Sequence, residues 1–161
     1  MCADGLDLPF RDGSFGVAAA FDVVEHFDDD DTLMAEIRRV VNRGGHLLLS
    51  VPAYQWAWSR HDELAGHERR YTRRSVSELL TRSGFEVVRA SYGFAATFPF
   101  FVVDRLRSRI GGRGPERVGE SQLPTWVGRL LGSLSRLDGW WLSHGDLPFG
   151  SSVFVLARRV G

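Results

Sequence analysis

The sequence predicts an α/β fold with a mainly parallel sheet covered on both faces. Two observations predict it. Short apolar runs alternate with segments whose apolar residues recur at helical spacing, and turn residues separate the two kinds of segment. The chain has 161 residues, of which 43% are hydrophobic and 25% charged, which is typical of one folded domain.

Charge and composition exclude several functions. Twenty basic and twenty acidic residues cancel, so we expect no nucleic-acid partner. The basic residues are all Arg, which excludes a catalytic or P-loop lysine. Cys2 is the only cysteine, and the N-terminus lacks the pattern of a signal peptide. We therefore expect a cytoplasmic protein, at most peripheral to a membrane.

The predicted strands are apolar runs bounded by turn residues. They comprise residues 15–21, 46–51, 85–92 and 152–157. The first helix follows the acids at 28–31, which suit the positive end of a helix dipole, and we expect Gly44 and Gly45 to end it. Thr72 is the predicted N-cap of the next helix, and Gly84 ends it.

Two helical segments precede the last strand. They cover about 95–110 and 125–143, and a linker rich in Gly and Pro separates them at 111–124. We interpret the whole chain as one partial domain, with its sheet core at 1–92 and 151–161 and a helical insertion at 93–150. The insertion is expected to cap the substrate pocket; a dimer surface and a monotopic membrane contact are the alternatives.

Five short motifs occur in order near the N-terminus. They read DGLDLPF at 4–10, DGSF at 12–15, FDVVEH at 21–26, EIRRVV at 36–41 with Gly44-Gly45, and SVP at 50–52. In this order they resemble the class I S-adenosylmethionine-dependent methyltransferases of the type 11 and 12 groups. The resemblance implies a Rossmann-like methyltransferase sheet that lacks its first strands and carries a helical insertion before its last strand. It also implies S-adenosylmethionine as the cofactor.

The resemblance further implies a cofactor site at the carboxyl ends of the strands. Its residues are Asp4, Gly5, Leu6, Asp22, Val23, Glu25 and His26, with Asp4 accepting a hydrogen bond from the adenine amino group. The alternative is that Asp4 stabilises an Asx turn after a strand. The family's glycine-rich loop and ribose-binding acid have no counterpart here, so we expect them upstream of Met1 and expect this chain alone to bind the cofactor weakly.

The segment 54–71 is expected to be an aromatic, charged loop that overhangs the site. His67 or His61 is a candidate general base, because imidazole titrates near neutral pH. Candidate substrate contacts are Trp56, Trp58, Arg70 and Tyr71, with Arg70 pairing with a carboxylate or phosphate. The alternative is that Trp56 and Tyr71 anchor the loop to the body.

Metal binding is not expected. The pair His61 and His67 has neither helical nor zinc-finger spacing. The acids at 28–31 lack the glycine and the terminal glutamate of a calcium loop.

The resemblance implies methyl transfer to a small-molecule, glycan-precursor or lipid-type acceptor, as part of a longer chain. A non-catalytic remnant or interaction module with the same fold is the first alternative. A metal hydrolase built on His61 and His67 is the second.

Overall fold

The computed structural model describes residues 3–110, 132 and 136–161. The strands are β1 (Phe15–Phe21), β2 (Val41–Pro52), β3 (Phe85–Gly93) and β4 (Ser152–Arg159). The helices are α1 (Asp30–Val40), α2 (Arg60–Ala65), α3 (Arg73–Arg82) and α4 (Phe98–Ile110). Short 3-10 turns lie at Val24–His26 and Gln55–Ala57, and residues 136–142 are helical.

The four strands form one sheet in the order β1-β2-β4-β3. β1 pairs with β2 in parallel, whereas β4 is antiparallel to both of its neighbours. β1, β2 and β3 therefore run in the same direction, as the prediction of a mainly parallel sheet requires. The sequence did not predict that the last strand, β4, runs in the opposite direction. Because β4 lies between β2 and β3, only β1 and β2 are parallel neighbours among the described strands.

The core lies on one face of this sheet. Alternate residues of β2 are buried there, and the apolar faces of α1 and α3 join the same cluster. Their buried members are Leu33, Met34, Ile37, Leu47, Leu49, Val51, Val76, Leu79 and Leu80. The predicted apolar stripes of both helices are confirmed, and Asp29 and Thr72 cap them through side chains that accept backbone hydrogen bonds.

The opposite face is open over much of the sheet. Val17 and Phe21 are more than half exposed, and Leu48 and Phe154 are more than one third exposed. The expectation of a sheet covered on both faces is therefore wrong for the part of the chain that the structure describes. Alternation along each strand still gives two apolar faces, because Val17 and Phe21 lie on the face opposite the buried Ala20.

The junction of α1 and β2 differs from the prediction. α1 ends at Val40 with an extended Val41 after it, and β2 begins at Val41 rather than at residue 46. Gly44 and Gly45 therefore lie inside the strand and do not end the helix. A side chain at Gly45 would meet the backbone oxygen of Gly16 at 2.8 Å, so the glycine allows β1 and β2 to approach each other.

The remaining predicted elements are present with shifted bounds. The expected loop 54–71 contains α2, and α4 begins at Phe98 rather than near residue 95. The predicted linker 111–124 lies outside the described residues, as does the part of the predicted helix 125–143 that precedes residue 136, apart from residue 132. No described helix is both long enough and apolar enough to cross a bilayer.

Candidate active site

The carboxyl ends of β1 and β2 lie side by side, because the two strands are parallel. Asp22 follows β1 with a left-handed backbone (φ 52°), and its N–H donates to the carbonyl oxygen of Ser50 at 3.0 Å. The Ser50 hydroxyl donates in turn to the Asp22 carboxylate at 3.2 Å. This turn directs the chain through the half-buried Val23 into the 3-10 turn that carries Glu25 and His26.

The segment after β2 folds back over that turn. The N–H of Glu68 donates to the carbonyl oxygen of Glu25 at 2.7 Å, and the N–H of Tyr71 donates to that of Pro52 at 2.9 Å. These bonds place His67 against His26, with ring centroids 4.7 Å apart and ring planes nearly perpendicular. The prediction that this segment overhangs the strand ends is confirmed.

Asp62 is the centre of a buried polar network. Its carboxylate is fully buried and accepts two hydrogen bonds from the Arg70 guanidinium, at 2.8 and 3.1 Å, and one from His67 Nδ1 at 2.9 Å. Burial alone raises the pKa of Asp62, but the hydrogen bonds from Arg70 and His67 outweigh it and lower the pKa to about 2. Asp62 is therefore ionised at neutral pH and acts only as an acceptor.

This network fixes the protonation pattern of His67. An ionised Asp62 accepts a proton but has none to give, so Nδ1 of His67 carries the hydrogen. In the neutral ring the lone pair then lies on Nε2. The carbonyl oxygen of Gly66 is likewise only an acceptor, and it lies 3.2 Å from Nδ1 of His26. Both rings therefore keep Nε2 for another partner.

Glu25 lies buried in the 3-10 turn that follows β1. Its side chain has no exposed surface, and no described residue makes a hydrogen bond of good geometry to either carboxylate oxygen. Burial raises the pKa of Glu25 to about 7, helped by the charge of Asp22 and opposed by its own backbone N–H, His26 and Arg70. Such a group is costly as an anion unless a proton or a cation compensates it.

Glu25, His26 and His67 form a group that is able to hold a metal ion. One donor atom from each lies within 4.8 Å of the other two. Glu25 is buried, His67 is partly buried and His26 is exposed, so the group is open to solvent on one side. His61 does not belong to it, because it lies exposed on the first turn of α2.

Two charged side chains of α1 hold the loop that contains Asp4. Glu36 accepts a hydrogen bond from the N–H of Leu8 at 2.7 Å, and Arg39 donates to the carbonyl oxygens of Leu8 and Phe10. Glu36 and Arg39 also bind each other, and the hydrogen bond from Arg39 lowers the pKa of Glu36. The charged pair in the EIRRVV motif thus holds the DGLDLPF motif in place.

Within that loop, Asp4 forms the Asx turn that was one of its two interpretations. Its Oδ1 accepts a hydrogen bond from the N–H of Leu6 at 3.0 Å, and both residues are exposed. Gly5 packs tightly, since an added side chain would lie 2.9 Å from the ring of Phe27. Phe27 directly follows His26, so the two candidate cofactor segments are neighbours.

An aromatic cluster continues from the site toward α4. Tyr54 stacks on Trp56 and Tyr92, with centroids 5.6 and 5.2 Å apart. Phe98 joins Tyr54 and extends the cluster to Phe149. Beside Phe149 lies an apolar cavity of about 290 Å³, whose lining includes the buried Asp138.

The structure gives two predicted substrate contacts another role. The Arg70 side chain is nearly buried and already pairs bidentately with Asp62, so its guanidinium is engaged within the protein. Tyr71 is buried and donates to Asp30 at 2.9 Å, which anchors the segment to α1. Trp56 is exposed within the aromatic cluster, and Trp58 is half-buried. Both remain candidate contacts.

The sequence interpretation missed the central role of Asp62. Its local signal is a capping box, in which Ser59 caps α2 and Asp62 accepts from the Ser59 N–H at 2.8 Å. A Ser followed three residues later by an acid is a known start signal for a helix. The pairing of Asp62 with Arg70 has no comparable local signal.

Comparison with known proteins shows that the chain is similar to methyltransferases. A family model described as a methyltransferase domain matches residues 1–49. A probable S-adenosylmethionine-dependent methyltransferase of Mycolicibacterium smegmatis is 35% identical over 83 residues, which are 50% of this chain and 32% of that protein. The first third of the chain therefore matches a methyltransferase domain, and half of the chain is similar to an S-adenosylmethionine-dependent methyltransferase.

Solved structures confirm the methyltransferase fold. The crystal structure of the 4+2 cyclase SpnF is 20% identical, with a TM-score of 0.55 over 100% of this chain and 56% of that one. Phosphoethanolamine N-methyltransferase 2 of Haemonchus contortus, in complex with S-adenosyl-L-methionine, is 16% identical, with a TM-score of 0.55 over 98% of this chain and 36% of that one. The chain spans about a third of the curated relative and just over half of the cyclase.

Proposed function

We propose that this chain is part of an enzyme that transfers a methyl group from S-adenosylmethionine to a small-molecule, glycan-precursor or lipid-type acceptor. The observation that carries the proposal is the meeting of three motif segments at one edge of the sheet. The Asp4 loop packs on Phe27, the Glu25–His26 turn directly precedes Phe27, and the segment with His67 lies over that turn. In an open α/β sheet this edge is where ligands bind.

The residues present fit one end of the cofactor. Asp4 uses only Oδ1 in its Asx turn, so Oδ2 remains as an acceptor for the adenine amino group. Gly5 and Leu6 offer backbone groups beside it, and Asp22 and Val23 offer theirs at the end of β1. When bound, S-adenosylmethionine supplies a methyl group already activated on a sulfonium. None of the described residues matches the family's glycine-rich loop.

His67 is the proposed general base for the acceptor. Its Nε2 keeps a lone pair because Nδ1 holds a hydrogen bond to Asp62. A proton that leaves an acceptor oxygen or nitrogen moves to Nε2, and the fixed negative charge of Asp62 stabilises the imidazolium that results. Arg70 holds Asp62 in place through two hydrogen bonds. His61 remains a second candidate base, with no comparable orienting partner among the described residues.

The helical insertion at 93–150 is proposed to bind the methyl acceptor. The aromatic cluster runs from Tyr54 and Trp56 through Phe98 to Phe149. The cavity beside Phe149 is of a size suited to a small ligand and is mostly apolar. Its buried Asp138 is an acceptor for a polar group of such a ligand. An apolar acceptor with one polar handle fits these surfaces.

A non-catalytic module with the same fold is the second candidate. It is supported by the absence of a glycine-rich loop from the described residues. The Asp62–His67 pair argues against this candidate, because an interaction module does not need an oriented imidazole.

Methyl transfer is testable with tritiated S-adenosylmethionine and a panel of phenols, amines, carboxylates and lipid-linked sugars. We expect transfer to at least one class, and we expect His67→Ala to lower the rate at unchanged cofactor affinity. His144→Ala is the matched control, because His144 is exposed and contacts Ser143 and Trp140 instead. Absence of transfer to every class, in a protein that binds the cofactor, favours the non-catalytic module.

A further inference from the structure

The donor set at the Glu25–His26 turn is that of a transition-metal site. A carboxylate and two imidazoles meet with their donor atoms within 4.8 Å of one another. Two His and one Glu is a three-ligand set of catalytic zinc sites, and two His with one carboxylate also hold non-haem iron. Calcium and magnesium prefer oxygen ligands, so this set favours a first-row transition cation.

The outer hydrogen bonds are those that a metal site needs. Metal-bound His residues commonly donate their second ring nitrogen to a carboxylate or a backbone carbonyl oxygen, which fixes the tautomer and orients the ring. His67 donates to Asp62 at 2.9 Å, and His26 has the carbonyl oxygen of Gly66 at 3.2 Å. Both rings are thereby set with the Nε2 lone pair available.

Glu25 supplies the independent observation that points to a ligand. Its carboxylate is fully buried, and neither oxygen receives a hydrogen bond of good geometry from a described residue. Buried polar groups in folded proteins are nearly always satisfied, and an exception indicates an absent partner such as an ion or a water molecule. A cation between Glu25 and the two imidazoles removes this deficit.

We propose that Glu25, His26 and His67 bind a divalent transition-metal cation, of which Zn²⁺ is the representative, with a further coordination position open to solvent. Ligand atoms about 2.1 Å from a tetrahedral cation lie roughly 3.4 Å from each other. The present separations between donor atoms, of up to 4.8 Å, therefore have to shorten by up to about 1.4 Å. The exposed ring of His26 provides both that movement and the entry path.

The backbone already holds the ligands in register. Glu25 and His26 are adjacent in one 3-10 turn, and His67 comes from the segment that bonds to that turn through Glu68 at 2.7 Å. His67 is also next to Gly66, whose carbonyl oxygen faces His26. The site is therefore formed by two segments that are 41 residues apart in sequence, counted from His26 to His67, and joined by a backbone hydrogen bond.

Cation binding does not depend on the proposed methyl transfer, but it changes the role of His67. When Nε2 is a ligand it has no lone pair for an acceptor proton. An acceptor hydroxyl or water in the open position would then be activated by the Lewis acidity that a bound cation supplies. General base catalysis by His67 belongs to the metal-free protein.

The test is titration of Co²⁺ into the metal-free, untagged chain, followed by visible absorption, with competition by Zn²⁺. We expect one cation per chain and displacement of Co²⁺ by Zn²⁺. Glu25→Gln keeps the shape of the side chain, and we expect it and His67→Ala to abolish the cobalt spectrum. Asp62→Asn removes the orienting carboxylate and is expected to weaken binding about 10- to 100-fold. His61→Ala and His144→Ala are matched controls that keep wild-type affinity.

Circular dichroism shows whether each variant remains folded. No cobalt spectrum in the folded wild-type chain overturns the proposal, and so does wild-type affinity in folded Glu25→Gln and His67→Ala. Loss of binding in His61→Ala alone places the cation elsewhere and also overturns it. Titration of S-adenosylhomocysteine into a metal-free longer chain that continues upstream in the same reading frame is a separate readout, so failure of the metal site is distinguishable from failure of the proposed methyl transfer.

Discussion

Asp62 accepts a hydrogen bond from Nδ1 of His67 at 2.9 Å while Arg70 holds the same carboxylate with two further bonds. A fully buried carboxylate thus orients an imidazole that is itself partly buried at the carboxyl edge of the sheet. The same pairing serves a general base and a metal ligand, because both need the lone pair on Nε2. The following predictions test this network and the loop beside it.

Removal of Asp62 should destabilise the fold. Asp62→Ala leaves the nearly buried Arg70 guanidinium without its carboxylate, and breaking one side of a buried pair costs about 3–5 kcal/mol. The free energy of unfolding from urea denaturation measures the loss. Glu63→Ala on the same helix is the control, because Glu63 is exposed and such changes usually stay within about 0.5 kcal/mol. Equal effects of the two variants would contradict the network.

The tautomer of His67 is directly measurable. We expect neutral His67 to carry its hydrogen on Nδ1, because ionised Asp62 is its acceptor. Two-bond ¹H–¹⁵N spectra of the metal-free chain at pH 8 distinguish the two ring nitrogens. In Asp62→Asn the preference should weaken, since an amide attracts the Nδ1 hydrogen less strongly. A hydrogen on Nε2 in the wild-type chain rules out the proposed orientation.

Asp4 should contribute to cofactor binding through a carboxylate oxygen. Asp4→Asn retains an oxygen for the Leu6 N–H but replaces the other acceptor with an NH₂ donor. In a longer chain that continues upstream in the same reading frame, we expect S-adenosylhomocysteine to bind this variant about tenfold more weakly or worse, as is typical when a hydrogen bond to a charged group is lost. Asp7→Ala is the matched control, because Asp7 is exposed in the same loop. Unchanged affinity in Asp4→Asn removes Asp4 from the site.

Stability should fall in acid partly through Glu36. Its pKa is lowered in the folded chain by the hydrogen bond from Arg39, so the unfolded chain takes up the proton more readily. The stabilisation is complete above the unfolded pKa and is lost as the pH falls through the folded one. Glu36→Gln should therefore flatten the decrease of the unfolding free energy below about pH 5. Parallel curves for the two proteins contradict this role.

Local patterns were sufficient to predict elements with strong periodicity. β1 was predicted with its observed bounds, and α3 with its cap at Thr72 and its buried Val76, Leu79 and Leu80. The start of β2 was not predictable, because Gly44 and Gly45 have the local pattern of a helix end. Only the pairing of β2 with β1 shows that these glycines lie within a strand.

The candidate site was predictable in position but not in composition. Motif order placed Glu25 and His26 beside the end of β1, where they lie, whereas Asp4 lies in a loop that packs on the neighbouring Phe27. The third member of their group, His67, lies about 40 residues further along the chain, so no spacing rule relates it to them. The expectation of no metal site considered His61 with His67, whereas the structure joins His67 to Glu25 and His26. Arg70 was predicted to meet a substrate carboxylate, but it meets that of Asp62.

Isothermal titration of S-adenosylhomocysteine tests the proposed function most directly. It compares this 161-residue chain with a longer chain that continues upstream in the same reading frame, both shown to be folded by circular dichroism. We predict that the longer chain binds one equivalent, and that the 161-residue chain binds weakly or not at all. Absence of binding in both folded proteins would contradict a methyltransferase function.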